Sequence, residues 1–546
     1  MTDVLTVAQR SYNMSKIRST ETGPEILLRN LLISRGLSDF ETQPKTIFGK
    51  PDFYFYNRKS AIFVDGCFWH GCKTCFHAPQ TNKKFWSSKI KSNIIRDNNV
   101  NKTLANGGIE VIRVKEHELK QNPDDVVKKI EGKLPPDNRP KVLDLFAGAG
   151  GLSEGFIQAG CEIVSHIEAD KKACSTLVTR MVYHALKKKN RLDDYKNYVL
   201  GKTTRDAIIK KHGLQNAESS VIYEKIGENN YQDLITKVKE RLNGARLDII
   251  VGGPPCQAYS HIGRARDDQN MRRDERNFLY RYYVEFLKAL QPKVFVFENV
   301  PGLEDAGKGK YLRDMRGLMK KAGYTTDYKI LNAVNYGVPQ NRKRIILVGW
   351  NKDSGLSGYP DFPEVKREYL VKDFFTGLPN IKAGKDRPAG VFSVQNDLLE
   401  KLGITNPQVG ILMDHVSRPH IKRDLAIYRR AVLLKQQGKN LKYNNLPKYL
   451  KTHTNEEGFL DRFKVVDADA RGSHTVVAHI AKDGHYYIHP DIRQNRSLTV
   501  REAARLQTFP DDYKFEGEIG PRFKQIGNAV PPLFAKIIAS TILQYF

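Results

Sequence analysis

The stretch Lys141-Val-Leu-Asp-Leu-Phe-Ala-Gly-Ala-Gly-Gly151 decides the fold of the larger part of the chain. It reads as an apolar strand that runs into a glycine loop, and glycine lets the backbone approach a ligand closely. A helix that follows such a loop attracts negative charge at its N-terminus. Glu168 closes the next apolar run, where a carboxylate can accept hydrogen bonds from ribose hydroxyls. The stretch therefore predicts a nucleotide-like ligand at a strand end, and alone it also fits a dinucleotide-dependent dehydrogenase.

Short apolar runs alternate with helical segments along this part of the chain. The runs are Val142–Phe146, Ile163–Ile167, Asp248–Val251, Val294–Phe297 and Ile345–Val348. Strands that are buried on both faces and separated by helices predict a parallel, doubly wound α/β sheet. The rhythm is absent between Asn351 and Asn495, a polar and Lys/Arg-rich stretch that we expect to form a smaller module.

Composition points to a polyanionic partner. The chain has 546 residues and a formal net charge of +28, from 89 Lys+Arg against 61 Asp+Glu. This surplus favours nucleic acid, although a basic enzyme without such a partner stays open. A hydrophobic content of 40% excludes wholesale disorder. No run approaches the roughly 18 to 20 apolar residues of a membrane span, and the start lacks a secretory signal. We expect a cytoplasmic protein with no membrane partner.

A proline-rich stretch divides the chain. Residues 134–140 read Leu-Pro-Pro-Asp-Asn-Arg-Pro, which cannot continue a helix or a central strand. Residues 1–133 before it show mixed α/β patterning. The predicted helices are Pro24–Gly36 and Lys83–Asn106, and the predicted strands are Pro51–Tyr56, Ser60–Val64 and Glu110–Val114. We predict a domain over 1–133, a linker over 134–140 and the larger part after it.

Chemistry-bearing residues follow the later strands of the larger part. They are Gly252-Gly-Pro-Pro-Cys256, Phe297-Glu-Asn-Val300 and Gln340-Asn-Arg-Lys-Arg344. A lone cysteine is usually a small buried hydrophobe, and a lone carboxylate or arginine is usually a surface ion pair. Sheets of this kind place their chemistry at the carboxyl ends of the strands. Together with the glycine loop, the order of these features favours an active site.

These motifs resemble, in their order, those of DNA (cytosine-5)-methyltransferases of the Dcm type, and the resemblance continues through Arg496–Pro510 and Gln525–Pro532. It implies a Rossmann-like class I methyltransferase domain over 141–350 and 496–546 and a target-recognition domain over 351–495. It also implies an S-adenosylmethionine site. The implied contacts are Phe146, Gly148, Gly150, Glu168, Pro255, Asn528 and Val530.

The reaction of that family explains the residue types. C5 of cytosine is a poor nucleophile until a thiolate adds to C6 and makes an enamine, which is covalent catalysis. By the resemblance, Cys256 is the thiolate and Glu298 contacts N3 and the exocyclic amine. Arg342 is expected to stabilise charge on the O2 side, with Arg344 bracing the site or the backbone. Because C6 is hidden inside a duplex, the cytosine must be flipped out of the helix.

The N-terminal part carries two candidate sites. Cys67-Phe-Trp-His-Gly-Cys-Lys-Thr-Cys-Phe-His77 packs three cysteines and two histidines into eleven residues. Structural zinc takes four such ligands, so the spacing predicts Cys67, Cys72 and Cys75 with a distant fourth. Three unrelated reduced thiols remain the alternative. Pro51-Asp52, taken with Glu25, His70 and Asp97, suggests metal-assisted phosphodiester hydrolysis.

Residues 10–120 resemble very-short-patch repair (Vsr) endonucleases, which nick DNA beside T:G mismatches left by deaminated 5-methylcytosine. The shared motifs are Met14, Glu25, Pro51–Phe53, Gly66–His70, Phe85–Trp86, Arg96–Asp97 and Val114–Leu119. The resemblance implies a restriction-endonuclease-like α/β core with Asp52 as a Mg²⁺ ligand. It implies that His70 is a general base oriented by Asp97, and that Glu25 is a water-mediated ligand.

The same resemblance implies that Cys67, Cys72, Cys75 and His117 hold Zn²⁺, with His77 as a rival fourth ligand. Phe68, Trp69 and Trp86 would wedge between base pairs. Asp65 stands where the best-known pattern has histidine, and Val64 could offer a metal only its main-chain carbonyl.

The two resemblances predict one polypeptide with two activities on double-stranded DNA. One writes 5-methylcytosine, and the other nicks DNA where that base has decayed to thymine. Two alternatives stay open. One is a restriction–modification fusion whose nuclease cleaves unmethylated sites, and the other is a methyltransferase carrying an inert, zinc-stapled DNA-binding module.

Overall fold

The computed structural model describes residues 22–35, 37, 39–44, 46–76, 82–255, 278–365, 369–391, 396–406 and 409–546. It divides into two compact units, one of residues 1–139 with 185–191 and one of residues 140–184 with 192–546. The first boundary falls between Arg139 and Pro140, inside the predicted linker.

The smaller unit contains a four-stranded sheet. Its strands, in sheet order, are β1 (Glu41–Thr42), β2 (Phe53–Phe55), β3 (Ser60–Asp65) and β4 (Glu110–Lys115). Strands β3 and β4 are parallel, and the other pairs are antiparallel. The helices among its described residues are α1 (Gly23–Ser34), α2 (Lys83–Asn106), α3 (Glu116–Gln121) and α4 (Pro123–Lys133). The apolar side chains of β2, β3 and β4 form a core with α1 and α4, because residues on alternate positions of a strand share one face.

The larger unit contains a seven-stranded sheet in the order β10-β12-β9-β8-β5-β6-β7. The strands are β5 (Lys141–Leu145), β6 (Glu162–Glu168), β7 (Val221–Tyr223), β8 (Ile249–Gly252), β9 (Val294–Asn299), β10 (Thr325–Asn332) and β12 (Lys343–Trp350). The strands from β9 to β7 are parallel.

Strand β12 corrects the prediction of a wholly parallel sheet, because it runs antiparallel to both β9 and β10. The ten residues 333–342 that link β10 to β12 are too few for a crossover helix. The chain therefore turns back after β10 and inserts β12 between β10 and β9.

Helices cover both faces of this sheet. The described helices between β5 and β10 are α5 (Gly151–Gln158), α6 (Lys171–Lys188), α7 (Leu192–Val199), α8 (Arg205–His212), α9 (Gln215–Ser219), α10 (Tyr231–Leu242), α11 (Leu279–Leu290) and α12 (Lys310–Lys321). Leu143, Leu145 and Phe295 point into a core that includes residues of α10 to α12. Val142 and Val294 point into a second core with α5 and the C-terminal helix. The alternation gives the predicted doubly wound packing.

The described residues between 351 and 495 have little regular structure. They contain the two-residue strands β13 (Gly390–Val391), β14 (Ile411–Leu412) and β15 (Ser473–His474), with β15 paired to β11 (Gln340–Asn341). Their helices are α13 (Asp397–Lys401) and α14 (Lys422–Gln436). Two apolar clusters among the described residues lie within this region, while another includes side chains of the C-terminal segment such as Leu498 and Ile526. The region belongs to the same compact unit as the sheet, and its identity as a target-recognition domain stays a prediction.

The C-terminal segment forms α15 (Val500–Leu506), α16 (Ile519–Asn528) and α17 (Pro532–Ile542). By length and composition alone, Ile519–Tyr545 could cross a membrane, but 67% of its most apolar window is buried inside the protein. Phe534, Ile538 and Ile542 of α17 are fully buried in the core beside the sheet. Since a buried core helix passes the same test, the segment is weak evidence for a membrane span.

Candidate functional site

The ends of β8 and β9 place a loop against a carboxylate. Gly252 on β8 pairs with Phe297 on β9, and Gly253 follows directly. A Cβ atom on Gly253 would lie 2.2 Å from the carbonyl oxygen of Glu298 and 3.0 Å from its Oε2, so only glycine fits there. The side chain of Asn299 holds the loop by donating to the carbonyl of Pro254 at 3.2 Å. Pro255 is exposed, and the predicted nucleophile, Cys256, lies outside the described residues.

Glu298 forms an ion pair with Arg344. The Nε atom of Arg344 lies 2.8 Å from Oε1 of Glu298, and the two side chains are 12% and 14% exposed. Their strands are neighbours, since Ile346 of β12 pairs with Glu298 of β9. An ion pair that is mostly buried fixes the direction of its carboxylate, and the remaining exposure leaves that carboxylate accessible to a ligand. Arg344 therefore holds Glu298 beside the loop that leads to Cys256.

Arg342 has a different position. Its side chain is 1% exposed and donates to the carbonyls of Val476 at 2.8 Å, Gly527 at 3.3 Å and Asn528 at 3.4 Å. The guanidinium thus ties the start of β12 to the C-terminal segment. The role that the resemblance implies for Arg342 at the cytosine stays a prediction. Arg344 is the arginine that the sheet sets against Glu298.

The glycine loop after β5 is tied to the end of β6. Glu168 accepts the N–H of Gly148 at 2.7 Å through Oε2, while its Oε1 accepts the amides of Ala169 and Asp170. Phe146 and Gly148 both have positive φ, 58° and 55°, so the chain turns sharply there. A carboxylate has about four lone-pair sites, so Glu168 can still accept from a ligand.

The C-terminal segment closes against this loop. A Cβ atom on Gly151 would lie 2.1 Å from the carbonyl oxygen of Val530. The structure therefore brings Val530, one of the predicted cofactor residues, to the helix that follows Gly150. Beneath the loop, burial raises the pKa of Asp144 to about 8. Asp144 carries no signal of this position in the sequence, because it sits inside an apolar run.

In the smaller unit, Asp52 lies at the start of β2 beside β3. Its Oδ2 accepts the N–H of Val64 at 2.7 Å. Burial raises the pKa of Asp52 to about 6, and the negative charges of Glu25 and Asp65 act in the same direction. Glu25 is held by Thr22 at 2.8 Å and by Gln43 at 3.3 Å. This is a cluster of acids that a cation would stabilise.

His70 is held through Nδ1. Its Nδ1 lies 2.6 Å from Oδ2 of Asp97 and 3.6 Å from Oδ1 of Asp65. The contact with Asp97 is the one the sequence predicts. Arg113, which the sequence analysis did not single out, lies 2.6 Å from Asp65 and 3.4 Å from Asp97. The role of Arg113 becomes visible only in the structure, where β4 places it opposite β3.

Three cysteines and a histidine converge next to the segment that carries His70. One ligand atom from each of Cys67, Cys72, Cys75 and His117 lies within 4.8 Å of all the others. Nδ1 of His117 is 3.2 Å from Sγ of Cys67 and 3.5 Å from Sγ of both other cysteines. The amide of Thr74 is the main cause that lowers the pKa of the Cys72 thiol to about 6. Three sulfurs and one imidazole nitrogen match the donor set of structural zinc. His77, the rival ligand, lies outside the described residues.

The predicted wedge residues form an aromatic cluster. Ring centroids of Phe68 and Trp69 are 5.3 Å apart, those of Phe68 and Trp86 are 5.1 Å apart, and Trp69 lies 5.8 Å from Trp86. Phe85 beside them is 60% exposed. The cluster lies at the same end of the sheet as His70, since Phe68 and Trp69 directly precede it.

The family model for C-5 cytosine-specific DNA methylases matches residues 140–209 and 215–544. The chain belongs to the C-5 cytosine-specific DNA methylases. A type II methyltransferase of Bacillus paralicheniformis, M.Bpa9945I, is 40% identical over 439 residues, which are 73% of this chain and 98% of the relative. The type II methyltransferase M.XorII of Xanthomonas oryzae is 31% identical over 433 residues, 74% of this chain and 85% of the relative. This DNA (cytosine-5)-methyltransferase thus spans nearly the full length of these relatives.

A solved E. coli structure, described as a DNA modification methyltransferase encoded within a prophage, supports the fold. It aligns with a TM-score of 0.50 and 23% identity over 74% of this chain and 99% of its own.

The family model for the DNA mismatch endonuclease Vsr matches residues 2–77, so the methyltransferase carries a Vsr domain at its N-terminus. That match includes Asp52, His70 and the three clustered cysteines. The match ends before Asp97 and His117. The fold nevertheless brings Asp97 to His70 and His117 to the three cysteines.

Proposed function

We propose that the larger unit methylates C5 of a cytosine in double-stranded DNA through a covalent adduct between Cys256 and C6. The observation that carries this is the Glu298–Arg344 pair, held against the Gly253 loop that continues into Cys256. Glu298 would donate to or accept from cytosine N3 and its amino group, which favours addition of the thiolate. We assign Arg344, rather than Arg342, to the charge on the O2 side.

S-adenosylmethionine fits the glycine-loop side of the same sheet edge. When bound it supplies the methyl group. Glu168 would bind its ribose hydroxyls, and Phe146, Gly148 and Gly150 would line the rest of the site, with Pro255, Asn528 and Val530 opposite. The support is a cradle in which Glu168 already orders the loop amides and Val530 abuts Gly151. A larger residue at Gly151 would close this cradle.

Covalent trapping tests the methyltransferase proposal. Duplex DNA with 5-fluorocytosine at the target position should form a stable adduct with the wild-type chain in the presence of S-adenosylmethionine. The target is found first by bisulfite sequencing of DNA from cells that express the chain. Cys256→Ser should abolish both methylation and the adduct, and an adduct that persists in this variant would overturn the assignment.

We propose that the smaller unit nicks DNA at T:G mismatches that arise from deaminated 5-methylcytosine. Asp52, with Glu25 nearby, would hold Mg²⁺, which would neutralise charge on the scissile phosphate. His70, oriented by Asp97, would take the proton of the attacking water. Zn²⁺ on Cys67, Cys72, Cys75 and His117 would staple the loop that carries His70. The support is the short Nδ1 contact of His70 together with the Cys₃His donor set.

Joining the two activities is chemically sensible, because deaminated 5-methylcytosine is a normal base. Tethering also raises the concentration of the repair domain near methylated sites. Within the larger unit, residues 351–495 would read the target sequence through base and phosphate contacts. We place the protein in the bacterial cytoplasm, bound to nucleoid DNA.

Oligonucleotide cleavage tests the nuclease. The wild-type chain with Mg²⁺ should nick one strand of a duplex with a T:G mismatch at the methylation target, and Asp52→Ala should abolish nicking. Double-strand cleavage of the unmethylated site without nicking of any mismatch would indicate a restriction–modification fusion instead. Binding without cleavage, unchanged by Asp52→Ala, would indicate an inert DNA-binding module.

A further inference from the structure

Arg113 joins three side chains of the smaller unit around His70. One terminal nitrogen donates to Oδ1 of Asp65 at 2.6 Å, and the other lies 3.4 Å from Oδ1 of Asp97. Its Nε donates to the side-chain oxygen of Asn101 at 2.9 Å. Asp97 and Asn101 are one turn apart on α2 and therefore share a face. The guanidinium, 19% exposed, thus connects the end of β3 with α2.

Two carboxylates compete for one atom of His70. Nδ1 can give its single proton to only one acceptor, and Asp97 lies at 2.6 Å while Asp65 lies at 3.6 Å. The Asp65 oxygen that faces His70 is the same Oδ1 that Arg113 holds at 2.6 Å. Both acids are 14% exposed, so without the cation two poorly hydrated negative charges would meet at one imidazole.

We propose that Arg113 is a positioning residue of the nuclease site: it withholds Asp65 from His70, so that Asp97 alone orients the ring and Nε2 stays directed to water. This inference rests on the proposed nuclease function. It also gives a reason why this chain tolerates an acid at position 65, where the best-known Vsr pattern has histidine. Arg113 and Asp65 form a coupled pair.

A double-mutant comparison in the full chain tests the coupling. For Arg113→Leu we expect kcat for nicking a T:G duplex to fall about 100-fold, the scale of misplaced general-base catalysis, with KM within about threefold. Adding Asp65→Asn removes the competing charge, so kcat of the double variant should be at least about tenfold higher than that of Arg113→Leu. Arg113→Lys keeps one contact of the fork and should lose only about tenfold. Lys102→Leu, an exposed cation on the same helix, is the matched control and should change neither constant.

A purely structural role predicts the opposite pattern. The double variant would then nick no better than Arg113→Leu, and zinc content would fall in both. That result would overturn the proposal.

A spectroscopic measurement separates this inference from the nuclease proposal. In the full chain with ¹⁵N-labelled histidine, assigned by the signals lost in His70→Gln, wild-type His70 should show the tautomer protonated at Nδ1. Arg113→Leu should keep the proton on Nδ1 but shift its signal, because that proton is then shared between Asp97 and Asp65, and the added Asp65→Asn should return the signal to its wild-type position. If wild type nicks no mismatch, the nuclease proposal fails while this measurement still decides the positioning. Identical His70 signals in wild type and Arg113→Leu would overturn the inference.

Discussion

Replacing Gly253 by alanine tests whether the loop before Cys256 must lie against Glu298. A Cβ atom there would stand 2.2 Å from the Glu298 carbonyl oxygen, whereas real Cβ atoms keep about 3.0 Å from such an atom. The difference of 0.8 Å must be taken up by movement. Gly252 and Phe297 are paired in the parallel ladder at the core of the sheet. We therefore expect the loop, rather than the strands, to move.

The expected effect is on the rate rather than on binding. A misplacement of about 1 Å in a catalytic group costs roughly 100-fold in rate, equivalent to about 2.7 kcal/mol of transition-state stabilisation. We expect Gly253→Ala to lower the single-turnover rate of methyl transfer by about this factor. The affinity for duplex DNA should stay within about threefold, because that affinity comes mainly from basic side chains on the phosphates and the substitution removes none of them.

The assay is transfer of a tritiated methyl group to a duplex with the mapped target, with S-adenosylmethionine in excess. Gly317→Ala is the matched control, because a Cβ atom on that helical glycine meets nothing within 4 Å. Alanine is preferred to glycine within a helix by roughly 0.5–1 kcal/mol, so this variant should be as active as wild type and slightly more stable. A folded Gly253→Ala protein that methylates at the wild-type rate would refute the reasoning.

Three further outcomes follow from the described contacts. Arg344→Leu should abolish methyl transfer in a folded protein. Arg342→Leu should instead lower the free energy of unfolding by several kcal/mol, because each buried acceptor left without a donor costs about 1–3 kcal/mol. Urea unfolding and methyl transfer, measured for each variant, distinguish the two effects. Cys72→Ser should reduce zinc, measured by mass spectrometry, to less than about a tenth of an equivalent and leave methyl transfer unchanged. The larger unit should lose stability as the pH falls from 6.5 towards 4. The reason is that buried imidazoles with lowered pKa values bind fewer protons in the folded than in the unfolded protein. The midpoint of urea unfolding should therefore be lower at about pH 5 than at about pH 7. These imidazoles are those of His166, whose pKa falls to about 3, and His420, His474 and His489, whose pKa values fall to about 4. Asp144, whose pKa is raised, favours the folded state as the pH falls, but it is one group against these four imidazoles. Equal urea midpoints at both pH values would therefore contradict the prediction.

The positions of the five central strands could be predicted from the sequence, but the strand directions could not. All five apolar runs fall on strands, with only the end residues Phe146 and Asp248 outside them, since burial on both faces demands continuous apolar residues. Hydrophobicity carries no sign of direction, so Ile345–Val348 in the antiparallel β12 looked like the others. Strand β10 was missed because it is an edge strand with mostly exposed or half-buried side chains, and such a strand needs no apolar run.

The two arginines of Gln340–Arg344 show why a motif alone does not assign roles. Arg342 and Arg344 are two residues apart, a spacing that would put both on one face of a continuous strand. The ladder is interrupted at Arg342: Asn341 pairs with His474 in one sheet, and Lys343 begins pairing with Asn332 in another. The break turns Arg342 into the interior and leaves Arg344 beside Glu298. Sequence spacing contains no record of that break.

The zinc site illustrates what register adds to composition. Local spacing predicts three cysteine ligands, but His117 is 50 residues from Cys67 along the chain. In the parallel pairing of β3 with β4, Asp65 is opposite Lys115. Cys67 and His117 each follow these partners by two residues, so they leave the sheet at the same level. The same register places His117 beside Cys67 and Arg113 opposite Phe63. From there Arg113 reaches the residues around His70. A shift of β4 by one residue would therefore remove both the zinc site and the support of His70, because neighbouring side chains on a strand point to opposite faces.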